Sequence, residues 1–107
     1  MSQKIHFTDS EKQLILYILP LTGYVIDDPC MELRLDILSD GISKKFFSNQ
    51  SSFSVAELEL MRDAVSLALD ISFGKNPPLL RESLEDVYSD LARERMPLLL
   101  IKHRLDS

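Results

Sequence analysis

One cysteine, three glycines and five prolines among 107 residues leave little material for several common architectures. A single thiol, Cys30, excludes an internal disulfide and any zinc site built on several thiolates, and it suits a reducing, cytoplasmic compartment. So few glycines and prolines argue against a loop-rich or low-complexity chain. Basic side chains are outnumbered, 12 against 17 acidic, and the net charge of −5 disfavours attraction to nucleic acid or to an anionic membrane. No long hydrophobic run is present either. The best candidate, residues 14–26, is interrupted by Pro20 and Gly23 and falls short of the roughly 20 residues that a bilayer requires. It follows Asp9 and Glu11 and lacks a small-residue cleavage signature, so it makes a poor signal peptide.

Recognisable chemistry is missing as well. The chain has no glycine-rich phosphate loop, no HExxH, no calcium-loop pattern and no GxSxG. His6 and His103 lie near opposite ends without ligand spacing, and nothing in the sequence context pairs either with Cys30 as base and nucleophile. Cys30 reads instead as a small buried hydrophobe in the first turn of a helix. The expectation is a protein without catalytic activity, cofactor or metal.

What is present is helix, in the manner of one all-α domain. The strongest signature runs over residues 53–74, where Ser54 and Glu57 form a capping box and Phe53 is placed to staple onto Leu58. At about 100° per residue, Glu59, Arg62, Asp63, Ser66 and Asp70 fall in one narrow polar stripe. Apolar residues cover most of the remaining circumference, so this helix must be packed on two or more sides.

Around this pillar the sequence predicts three more helices. After a lead-in of residues 1–7, Thr8 and Glu11 make a second capping box and open a helix over 9–19, which Pro20 stops or kinks. Asp28 and Pro29 suit the cap and first position of a helix over 29–40, ending near Gly41, with a short piece over 42–47 beyond it. That stretch is ambiguous. Met31, Leu33, Leu35 and Ile37 alternate with polar residues as in a half-buried strand, while Met31, Leu35, Leu38, Ile42 and Phe46 recur at helical spacing. The Asp-Pro start favours helix. Gly74 closes the central helix, Asn76 and Pro77 open the next, and Leu80, Leu84, Val87, Tyr88 and Leu91 line one face of a helix over 79–96 that Pro97 ends. The apolar tetrad 98–101 and the basic residues after it form a short C-terminal element, helix or strand.

Two features point to a partner. Asp28, Glu32, Asp36 and Asp40 are each four residues apart and stack as an acidic ladder, in which like charges cost a helix a few tenths of a kcal/mol per pair. The ladder is a docking face for a basic protein surface, a weak divalent-ion site, or a solvated face partly neutralised by Lys44 and Lys45. The second feature is an apolar surplus, because more than one helix is apolar on more than one side and a face could be buried against another protein or a second copy. Phe46 and Phe47 are adjacent, cannot point the same way, and are both candidates for that face. The basic cluster Arg93, Arg95, Lys102, His103 and Arg104 is accounted for by the dipole at a helix end. The functional expectation is an adaptor, inhibitor or regulatory subunit, with a self-associating structural subunit as the alternative and a small helical enzyme or ligand-binding bundle as a third reading.

Overall fold

The computed structural model describes residues 2–25, 28–74 and 85–106. The protein is all-α. Its described helices are α1 (Asp9–Ile18), α2 (Pro29–Phe47), α3 (Val55–Ser72), α4 (Glu85–Arg93) and α5 (Arg95–Asp106), with a 3₁₀ segment, Leu19–Val25, after α1. The helix α3 is the pillar, and α1, α2, α4, α5 and the 3₁₀ segment all pack on it. Its polar stripe stays near solvent, while Leu58, Met61, Ala64, Val65, Ala68, Leu69 and Ile71 are buried. Two of those are alanines, which let neighbouring helices approach closely.

Both capping boxes form as the sequence predicts. The Ser54 hydroxyl accepts from the Glu57 amide at 3.1 Å and the Glu57 carboxylate accepts from the Ser54 amide at 2.8 Å. Thr8 and Glu11 repeat the arrangement at 3.2 and 2.8 Å. Gly74 takes φ +80°, the left-handed conformation that ends a helix at little cost in glycine, and its amide donates to the Ile71 carbonyl at 3.0 Å.

Three expectations are corrected. The lead-in is part of the fold: Ser2–Lys4 (β1) pairs antiparallel with Ser52–Ser54 (β2), with Gln3 opposite Phe53. That pairing delivers Ile5 and Phe7 to the core, where Phe7, Phe46 and Phe53 stand edge to face at 5.7 to 6.0 Å. Three-residue strands are too short to show a period, so the sequence gives no warning of them. Secondly, α2 neither stops at Gly41 nor breaks into two pieces. Gly41 lies inside the helix, at a turn where a Cβ would stand 3.2 Å from a Glu57 carboxylate oxygen. The strand alternative for residues 31–37 falls with it. Thirdly, Pro97 does not end a helix but sits in the first turn of α5, where no intrahelical donor is needed. The C-terminal element is therefore a full helix, and a single helix over 79–96 is replaced by α4 and α5 meeting at Glu94. Leu80 and Leu84, and the side chains of Val87 and Tyr88, lie outside the described residues. The stop at Pro20 holds: α1 ends at Ile18, and the chain runs on as the 3₁₀ segment, held by the Thr22 hydroxyl donating to the Leu19 carbonyl at 2.7 Å.

Candidate interaction surface

The helix α2 is anchored by one side only. Leu35, Ile42 and Phe46 are buried against α3 and the phenylalanine cluster, with Leu38 packed beside them. Leu33 lies about 200° around the axis from Leu35, and with Ile37 it faces away from the core. The two are 63% and 64% exposed. Cys30 stands one turn earlier on the same side and is exposed, which corrects its reading as a buried hydrophobe. The two-residue alternation of the sequence now has a physical cause: Leu35 turns into the core, Leu33 and Ile37 turn out, and the helix is apolar on opposite sides.

Acidic side chains line one edge of this stripe and Arg34 the other. Glu32, Asp36 and Asp40 are exposed along one edge. Asp28 is exposed as well, but its carboxylate caps the helix by accepting from the Cys30 amide at 2.9 Å. Asp40 pairs with Lys44 at 2.9 Å, both in solvent, so Asp28, Glu32 and Asp36 are the ladder members without a cation among the described residues, and of these Glu32 and Asp36 are free of a capping role. Past Arg34 on the other edge, an open groove of about 230 Å³ runs between α2 and α3. Its walls are Met31, Leu35, Leu38, Ala56 and Leu60, and its far rim is Glu59 and Asp63. No ladder carboxylate belongs to a group of three or more that could hold a metal ion among the described residues.

The structure separates the two phenylalanines. Phe46 is 5% exposed and inside the core, so it leaves the candidate set, whereas Phe47 is 81% exposed at the C-terminal end of α2. Sequence reasoning missed Leu33, Ile37 and Met31 as surface residues, along with the Glu59 and Asp63 rim. The signal was present in the alternation over residues 31–37, but it read as a strand rather than as a second apolar face.

Much of the ionic chemistry is committed to the fold. The Glu57 carboxylate is buried and also accepts from Lys45, whose ammonium stands over the Phe53 ring at 5.6 Å. Burial raises its pKa, but the Lys45 and Ser54 hydrogen bonds outweigh burial and leave it below the ordinary 4.5. For Glu11, burial is again offset, by the Thr8 amide and by Arg104, and the result is again a lowered pKa. Arg104 also donates to the His6 carbonyl at 3.0 Å, binding the C-terminal helix to the N-terminal segment. Arg95 does not serve its own helix end: Nε and Nη2 both donate to the Ser72 carbonyl at the end of α3, while its guanidinium covers Phe73 at 4.7 Å. Arg62 returns the arrangement from α3, donating to the Leu105 carbonyl at 3.1 and 2.7 Å. Of the basic cluster, Arg93, Lys102 and His103 remain exposed.

No helix among the described residues is long and apolar enough to cross a membrane. Comparison with protein-family models, with curated proteins and with solved structures finds no match for this chain.

Proposed function

We propose that this protein is a small, non-catalytic interaction module of the cytoplasm that docks a basic, amphipathic segment of another protein on the outer face of α2. The observation that carries this reading is the exposure of Leu33 and Ile37 opposite the core side of their own helix, with Glu32 and Asp36 on one edge and Glu59 and Asp63 beyond the other. An apolar stripe with a mostly acidic surround, broken by Arg34 on one edge, takes affinity from its centre and orientation and on-rate from its rim. The groove lined by Met31, Leu38 and Leu60 gives a side chain from the partner somewhere to enter.

The test is capture from native lysate with four baits: wild type, Leu33→Asp with Ile37→Asp, Glu32→Lys with Asp36→Lys, and a control reversing Asp70 on the far end of α3. A stoichiometric partner should be retained by wild type and the control. It should be lost by the first variant, and held more weakly and with less salt dependence by the second. Equal capture by all four, at unchanged helical circular dichroism, contradicts this reading.

A further inference from the structure

The segment ahead of α1 is tied to the fold by few contacts, and the last of them meet at one side chain. Lys4, Ile5, His6 and Phe7 are exposed, buried, exposed and buried in turn, so the alternation of β1 carries on to the cap of α1 at Thr8. Backbone pairing sets Ser2–Lys4 against Ser52–Ser54, and the Ile5 amide extends it by donating to the Ser51 carbonyl at 2.8 Å. A two-stranded ribbon of that length has little stability of its own. Past the ribbon the holding group is Arg104. Its Nη1 donates to the His6 carbonyl at 3.0 Å, between the two buried side chains, and to the Glu11 carboxylate, while its guanidinium stands 5.9 Å from the Phe7 ring. Glu11 in turn accepts from the Thr8 amide, at the residue where the segment ends. Packing under the segment is incomplete: a gap of about 40 Å³ lies between Ile5, His6 and Phe7 and the turn of Asn49, Gln50 and Ser51.

We infer that residues 2–7 form a strap that opens as a unit about Thr8, with Arg104 as its latch, while α1, α3 and α5 stay together. The helix that carries the latch does not depend on the strap for its own place. Leu98, Ile101 and Leu105 of α5 are buried, and the Arg62 and Arg95 bonds fix α5 to both ends of its contact with α3. The capping box of α1 also survives, since Thr8 and Glu11 both lie beyond the strap. What opening removes is the ribbon, the burial of Ile5 and Phe7, and the Arg104 bond to His6. It uncovers Phe46 and Phe53 and leaves Ser52–Ser54 without the strand it pairs with, an edge of the kind that takes up an extended chain. The strap is thus a cover over that edge, and it is independent of the α2 docking face.

Amide hydrogen exchange on the whole chain, followed residue by residue at low denaturant, tests this. The Ile5 amide reports the strap, and the amides of Met61 and Val65 report α3. In wild type, Ile5 should be at least about tenfold less protected than the α3 pair and almost insensitive to denaturant, because a local opening exposes little surface. Two variants then separate the strap from the core. Arg104→Ala removes a bond from a charged donor and should lower Ile5 protection by about tenfold or more. Ile71→Val removes a buried methylene from the far end of α3, so it should lower Met61 and Val65 protection several-fold and leave Ile5 unchanged. If Ile5 follows Met61 and Val65 through denaturant and through Ile71→Val, the segment leaves only when the whole molecule unfolds, and the inference is overturned. Ile5 exchange that ignores Arg104→Ala overturns it too, because fraying of β1 alone would leave Arg104 seated. An Arg104→Ala chain that fails to fold has the same meaning, since the open form must keep α1, α3 and α5 together.

Discussion

Two glutamates act at more than one level of the structure. Glu11 and Glu57 each complete a capping box and each hold a cation from a distant stretch, Arg104 for one and Lys45 for the other. Because their folded pKa values lie below the ordinary 4.5, the stability they contribute is present in full above that value and is lost as pH falls through the lowered folded values. Glu11→Gln with Glu57→Gln should therefore be less stable than wild type at neutral pH and lose less stability between neutral pH and the acid range below 4.5. Urea midpoints across pH check this, and parallel acid limbs would contradict it. The Glu57 carboxylate also bears on Gly41, since a Cβ there would stand 3.2 Å from it and oblige it to shift by a few tenths of an ångström. From sequence, Gly41 reads as a stop signal. The residue that stands against it is 16 positions away and is recognisable only once α2 and α3 are packed.

At the scale of elements, α3 and α5 run antiparallel and each supplies an arginine that satisfies a carbonyl at the other's C-terminus. Helix ends leave carbonyls without intrahelical donors, and a guanidinium with two parallel N–H groups satisfies such an oxygen while placing positive charge at the negative end of the dipole. Arg95→Ala should destabilise the fold by about 1–2 kcal/mol in chemical denaturation, and Arg95→Lys should recover only part of that, because an ammonium lacks the fork. Full recovery by lysine would show that charge alone matters at Ser72. These clamps span 23 and 43 residues and leave no local trace in the sequence. What was legible was local: the capping boxes, the stop of α1 ahead of Pro20, the glycine after α3, and the wide apolar surface of α3 itself. The β1–β2 pairing and the continuity of α2 were not, because both depend on contacts between distant stretches.

For the whole molecule, a core built around α3 leaves α2 and α5 with exposed apolar side chains on their outer sides, Leu33 and Ile37 on one and Met96, Leu99 and Leu100 on the other. Half of the candidate surface was legible as the acidic ladder. The apolar half was hidden because Leu33 and Ile37, alternating with the buried Leu35, imitate a strand, and Phe46 could not be told from Phe47 without knowing which turn of α2 meets Phe7 and Phe53. The central claim is that the Leu33–Ile37 side of α2 is covered when the protein meets its partner, and Cys30 offers a direct probe of it. It is the one thiol in the chain, exposed, and one turn from Leu33 on the same side. The measurement is the rate of Cys30 alkylation in dilute protein and in the captured complex. The account predicts slower alkylation wherever the face is covered, with the dilute rate restored by Leu33→Asp and Ile37→Asp. A rate that is the same in both states would contradict it.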